Sequence, residues 1–238
     1  MRERAWSSPL RILLINPNST AEMTASIAAE ARLAARDGTE IVAVNPSDGP
    51  PAIQGAADGE AALPGLFALF DKEMAAQSYD AVIIACFDDT GLWELRRRAR
   101  VPVIGIGEAG YLAGSVMGMR FSVVTTLQVA VPVLEGNLAR YGLARRCAHV
   151  RASGVPVLAL ETDRKASTDA IAATIAAALR EDECDAIVLG CAGMAGLAED
   201  MAARFGIPVI DGVAAAVGLC ETVARGVPSR HHSAISAR

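Results

Sequence analysis

The chain has few aromatic residues: five Phe, three Tyr and two Trp in 238 positions. A core drawn mainly from Ala, Val, Leu and Ile suits helices packed on parallel strands better than a β-sandwich. No long basic run occurs, and 22 Lys and Arg stand against 27 Asp and Glu, a formal charge of −5. Nucleic acid is therefore not an expected partner, since binding it rests on neutralising phosphates. The short run Arg96, Arg97, Arg98 and Arg100 reads as the solvated face of a helix. No Cys-x-x-Cys and no Cys/His cluster with zinc spacing is present, so no metal is expected. No apolar stretch reaches about 18 residues without charges or turn formers, so no membrane span is expected. The polar segment 1–9 lacks the apolar centre of a signal peptide. Five cysteines, an odd number, do not suggest a disulfide framework, and a reducing cytoplasm is the expected location.

What is present is an alternation of short apolar runs and helical stretches, the pattern of an α/β fold with parallel sheets. Strands are expected at 11–15, 41–44, 81–85, 103–106, 121–124, 149–151, 187–189 and 209–210. The turn Asn16-Pro17-Asn18-Ser19-Thr20 opens the first helix, with Ser19 or Thr20 as its N-cap. A second helix ends near Gln77, and others are expected over 89–100, 167–180 and 194–205. The Gly/Pro-rich loop 45–51 is a candidate mobile cover, and 45–62 is expected to line a pocket. His149 reads as structural, and the polar tail from Pro228, with His231 and His232, is expected to fray.

An internal duplication organises these elements. Asp80-Ala81-Val82-Ile83-Ile84-Ala85-Cys86 matches Asp185-Ala186-Ile187-Val188-Leu189-Gly190-Cys191 at a constant offset of 105, which continues from Gly91-Leu92 to Gly196-Leu197. With one residue inserted, Val101-Pro102-Val103-Ile104 matches Ile207-Pro208-Val209-Ile210. A weaker match links Arg11-Ile12-Leu13-Leu14-Ile15-Asn16 to Arg120-Phe121-Ser122-Val123-Val124-Thr125. The expected architecture is two pseudo-twofold-related α/β lobes, each with a mainly parallel sheet: residues 10–106 with 212–227, and residues 107–211. The last helix crosses back to the first lobe.

Ligands of open α/β sheets bind beyond the carboxyl ends of the strands. Cys86 and Cys191 both fall there, so the duplication places two thiols on opposite sides of one cleft. An isolated cysteine is usually a small buried hydrophobe, the reading given to Cys147, Cys184 and Cys220. Packing does not explain two cysteines at one repeat-equivalent position. A thiolate is a competent general base and the opposite thiol a competent general acid. Racemisation needs this symmetry, because substrate and product are mirror images. Helices expected directly after each cysteine favour the thiolate through their dipoles. The backbone at Phe87-Asp88 and Ala192-Gly193 offers N–H groups for a developing enolate. Asn16 and Thr125 flank the cleft as candidate substrate contacts. Ser19 is a contact or an N-cap, Asp89 a cap for the helix that follows it, and Glu108 a first-turn or cleft carboxylate. No metal or pyridoxal motif accompanies them, and no cofactor is expected.

These segments resemble the aspartate/glutamate/hydantoin racemase superfamily, and within it the hydantoin and allantoin racemase branch. The resemblance rests on Ile15-Asn16-Pro17-Asn18-Ser19-Thr20 with Met23-Thr24, Cys86-Phe87-Asp88-Asp89-Thr90-Gly91-Leu92, Gly105-Ile106-Gly107-Glu108-Ala109 and Leu189-Gly190-Cys191-Ala192-Gly193-Met194. It implies cofactor-independent racemisation by two thiols, and a homo-oligomer. The amino-acid branches carry an Asn/Thr-rich turn after the first cysteine to hold an α-carboxylate. Phe87-Asp88-Asp89 departs from that, which points to a neutral small molecule such as a 5-substituted hydantoin ring. The competing readings are a maleate isomerase, an arylmalonate decarboxylase, or a small-molecule binding protein without catalysis.

Overall fold

A computed structural model describes residues 9–226. The segment 1–8 and the tail with His231 and His232 lie outside the described residues. The first half runs β1 (Leu10–Ile15), α1 (Ala21–Ala34), β2 (Thr39–Val44), α2 (Ala56–Ala76), β3 (Ala81–Ile84), α3 (Leu92–Arg98), β4 (Val103–Gly105) and α4 (Ile106–Val116). The second runs β5 (Phe121–Thr125), α5 (Val131–Arg140), β6 (Cys147–Ala152), α6 (Ala159–Thr162), α7 (Arg164–Glu181), β7 (Ala186–Leu189), α8 (Ala198–Phe205), β8 (Val209–Asp211) and α9 (Gly212–Gly226). Two four-stranded parallel sheets result, in the orders β2-β1-β3-β4 and β6-β5-β7-β8, one topology made twice.

The duplication reaches individual hydrogen bonds. The Asp80 carboxylate accepts the Arg11 N–H (2.8 Å), and Asp80 N–H returns to Arg11 O (2.8 Å). Asp185 does the same with Arg120, at 3.0 and 2.8 Å. Val82 N–H reaches Pro102 O (2.9 Å) and Ile187 N–H reaches Pro208 O (3.0 Å). The matched residues of the sequence thus hold the same places in the two sheets.

Every side chain of β3 and β7 is buried. Each Val, Ile or Leu so placed stabilises the fold by roughly 1.5–3 kcal/mol. An exposed ion pair such as Lys165–Asp169 (2.8 Å) adds far less, because water screens it. The central strands therefore hold the fold, and their ends are firm ground for a site. The last helix, α9, packs against α1 and α4. Its Glu221, 2% exposed, accepts the Arg36 N–H (2.9 Å) and the Thr39 hydroxyl (2.6 Å).

The two halves cap α4 and α9 with carboxylates from different places. Asp211 accepts the N–H groups of Val213 (2.7 Å) and Ala214 (3.3 Å) at the start of α9. Its counterpart in the repeat is Gly105, which has no side chain. Asp89 reaches across instead and accepts the N–H groups of Gly107 (3.0 Å) and Glu108 (2.8 Å). A Cβ on Gly105 would fall inside the Asp89 carboxylate. Asp89 was expected to cap the helix after it; it caps α4 because φ of 52° there and 72° at Gly91 interrupt the chain before α3.

Candidate active site

Cys86 and Cys191 each stand two residues beyond the ends of the equivalent strands β3 and β7. Both line one narrow cavity of about 30 Å³, together with Ala85, Phe87, Asp88, Thr125, Gly190 and Ala192. The turn after each cysteine turns donors back onto its sulfur. Asp88 N–H and the Thr90 hydroxyl (3.5 Å) face Cys86, and Gly193 and Met194 N–H face Cys191.

The expected helix N-termini are not there. α3 begins only at Leu92 and α8 only at Ala198, after a single 3-10 turn at Ala192–Met194. Burial prevails over the donors. It pushes the Cys86 thiol well up, with the Asp88 charge adding to it, and the Cys191 thiol up to about 12. The expectation of dipole-lowered thiols is corrected accordingly: both half-buried thiols are shifted toward the protonated form.

The other expected site residues divide. Thr125 lines the cavity, and its hydroxyl donates to Gly190 O (2.9 Å), bracing the turn that presents Cys191. The Phe87 ring is 3% exposed and lies edge-on to Tyr111 at 5.1 Å, an anchor in the core. Asn16 does not line the cavity; its amide donates to Asn18 Oδ1 (2.9 Å) and Thr24 Oγ1 (2.9 Å), and Asn18 takes the place at the wall. Ser19 lies outside the lining and is not the N-cap of α1. Its hydroxyl donates to Gly49 O (3.1 Å), tying down the loop 45–51, while Thr20 holds the N-cap position. Gly193 also lies outside the lining, its N–H engaged on the Cys191 sulfur.

Sequence reasoning missed Asn18, Met23, Thr126, Ala130 and Val157 in the lining. Asn18 sits in the turn already singled out, and Ile53, also in the lining, in the loop expected to line a pocket. Val157 carried no signal. Its N–H donates to Gln54 Oε1 (3.1 Å), which joins loops of the two halves over the cavity. So small a space holds one or two waters, less than a ring-sized ligand fills.

The arginine run is not simply a solvated face. Arg96 pairs with Glu108 in the first turn of α4 and donates to Val103 O (2.9 Å), while Arg97 and Arg98 pair with Glu94. All five cysteines are free. Among the described residues no group of three His, Cys, Asp or Glu is placed to hold a metal ion, and no helix is long and apolar enough to cross a membrane.

Two carboxyls beside Cys86 are out of their usual range. Burial, with the Asp58 charge beside it, pushes Asp88 up to about 7. Burial also pushes Asp89 to about 7, against the opposing pull of Tyr141, Gly107 and Glu108 donors. Unfolded, each titrates near ~3.9. Between that value and 7 the folded chain binds more protons than the unfolded one, so this stability is present at low pH and lost as pH rises through 7. Asp88→Asn removes one such group. Its stability relative to wild type, from urea midpoints, is expected to improve by on the order of 2 kcal/mol between about pH 5 and pH 8.

A doubled parallel α/β fold with one thiol from each half at a shared cleft is a framework for isomerising a carbon acid. The family model described as Asp/Glu/Hydantoin racemase matches residues 12–220, and the chain belongs to that family. A hydantoin racemase of Rhizobium meliloti is 45% identical over 214 residues, covering 90% of this chain and 88% of that one. The solved allantoin racemase from Klebsiella pneumoniae superposes with a TM-score of 0.89 at 41% identity, over 94% of this chain and 91% of that one. The allantoin racemase from Pseudomonas fluorescens gives 0.87 at 39% identity, over 95% and 100%. The protein is thus an isomerase of racemase type.

Proposed function

We propose that the protein racemises 5-substituted hydantoins, allantoin among them, by a two-thiol proton transfer at C5 that uses no cofactor. One observation carries this reading: Cys86 and Cys191, at equivalent strand ends of two repeated halves, line one cavity, each with its own turn of donors aimed at the sulfur. The named relatives support the substrate class.

In each turnover one sulfur, as thiolate, takes the C5 proton, and the electron pair passes to the adjacent carbonyl as an enolate. The opposite thiol then returns a proton to the other face of C5, so one S–H forms and one breaks. The reverse direction exchanges the roles. Burial opposes the thiolate, so the donors from Asp88, Thr90, Gly193 and Met194 make it attainable once substrate and its dipoles fill the cleft. Polarimetry of the purified protein with single enantiomers of ureido-, benzyl- and isobutyl-substituted hydantoin tests the reading. Decay of rotation to zero for at least one is expected. Stable rotation for all, or a covalent adduct with maleate, would overturn it.

A further inference from the structure

The Asp88 carboxylate has no partner. Its Oδ2 is buried without any hydrogen bond among the described residues. Its backbone, in contrast, is fully engaged: the N–H faces Cys86, and the carbonyl accepts from Asn137 Nδ2 (2.8 Å). Asp88 lines the thiol cavity and also a larger one of about 350 Å³ on its outer side, walled by α2, α3 and α5. It thus lines the same cavity as both sulfurs, and its charge raises both thiols.

A carboxylate oxygen buried without a donor is destabilising where it stands. Among the described residues no arginine or lysine forms an ion pair with it, although Arg97 and Arg140 line the larger cavity. What satisfies it is a ligand with N–H to donate. What it repels is a ligand bearing a carboxylate.

Resting on the racemase reading above, we propose that the Asp88 side chain determines specificity: it accepts an N–H of a neutral, amide-rich substrate and excludes carboxylate-bearing carbon acids from the thiols. The larger cavity behind it then receives the C5 substituent, since the thiol cavity alone has no room for one. The relevant class is cyclic imides and ureides, and the excluded class is amino acids, malonates and maleate.

The test compares wild type with Asp88→Asn, which keeps the shape and removes the charge, at a pH well above 7. KM and kcat are measured with allantoin and 5-benzylhydantoin, and binding of phenylacetate and phenylmalonate by calorimetry. The expected result is a KM raised about tenfold or more for the hydantoins with a smaller change in kcat, and carboxylate affinity gained by about tenfold or more. Unchanged KM and unchanged carboxylate affinity would overturn the proposal. So would a change confined to the pH profile of kcat, which would make Asp88 a residue that positions thiol titration only. If wild type racemises no hydantoin, the substrate reading fails by itself, and the carboxylate affinities still decide whether the charge excludes anions.

Discussion

Cys86→Ala and Cys191→Ala are each expected to lower racemisation at least about 10³-fold, because each removes a general acid in one direction and a general base in the other. The loss falls on both enantiomers, unlike the loss of a residue that only binds. Partial reactions are expected to survive. With one thiol left, exchange of the C5 proton with solvent persists for the enantiomer whose proton faces that sulfur, and is lost for the other. The two variants therefore complement each other, and proton NMR in heavy water separates them enantiomer by enantiomer. Cys→Ser at either position is expected to stay below about 1% of wild type, since a hydroxyl is far less acidic than a thiol and the site already disfavours the anion by burial. A single variant that kept more than a tenth of wild-type turnover would end the two-thiol account.

The largest expected effect on stability is at Asp89. Its carboxylate receives Gly107 N–H, Glu108 N–H and, at 2.6 Å, the Tyr141 hydroxyl, all in an environment where Asp89 is 6% exposed. Asp89→Ala leaves three donors without an acceptor and opens a void between β4, α4 and α5. Each unsatisfied buried donor costs about 1–3 kcal/mol, with some relief from an entering water. A loss of about 3–5 kcal/mol in urea unfolding is expected. Asp89→Asn is expected to cost about 1–2 kcal/mol, since an amide keeps one acceptor and tolerates the positive φ. Activity should fall with Asp89→Ala as well, because the same residue closes the turn that carries Cys86 and Asp88. An Ala variant within about 1 kcal/mol of wild type would show that the α4 cap is not what fixes this turn.

Much of this was readable in the chain, for a definite reason. A strand buried on both faces is a short unbroken apolar run, and the two best runs, after Asp80 and after Asp185, recur at one offset with a cysteine at each end. That repetition conveyed the doubled topology and the pairing of the thiols. The residues that bridge distant segments were not readable. Asp89 caps a helix that begins 17 residues later, and nothing local to it says so. Val157 reaches Gln54 across the two halves, 103 residues away. Asn16 and Asn18 are two steps apart in one turn, and only the fold decides which faces the cavity. α3 starts later than its pattern suggests because Asp89 and Gly91 take positive φ, and α8 because Gly196 does, which no hydrophobic pattern reports. The thiols titrate higher than helix dipoles alone imply, because burial of a sulfur depends on loops from both halves.

The most direct measurement is the early fate of label when one enantiomer of a hydantoin racemises in heavy water. Two thiols on opposite faces predict that, in the first few per cent of reaction, nearly every product molecule carries deuterium at C5 while recovered substrate remains protiated. A product that retains the substrate's own proton would contradict the account, because it would mean that a single group had carried that proton from one face to the other.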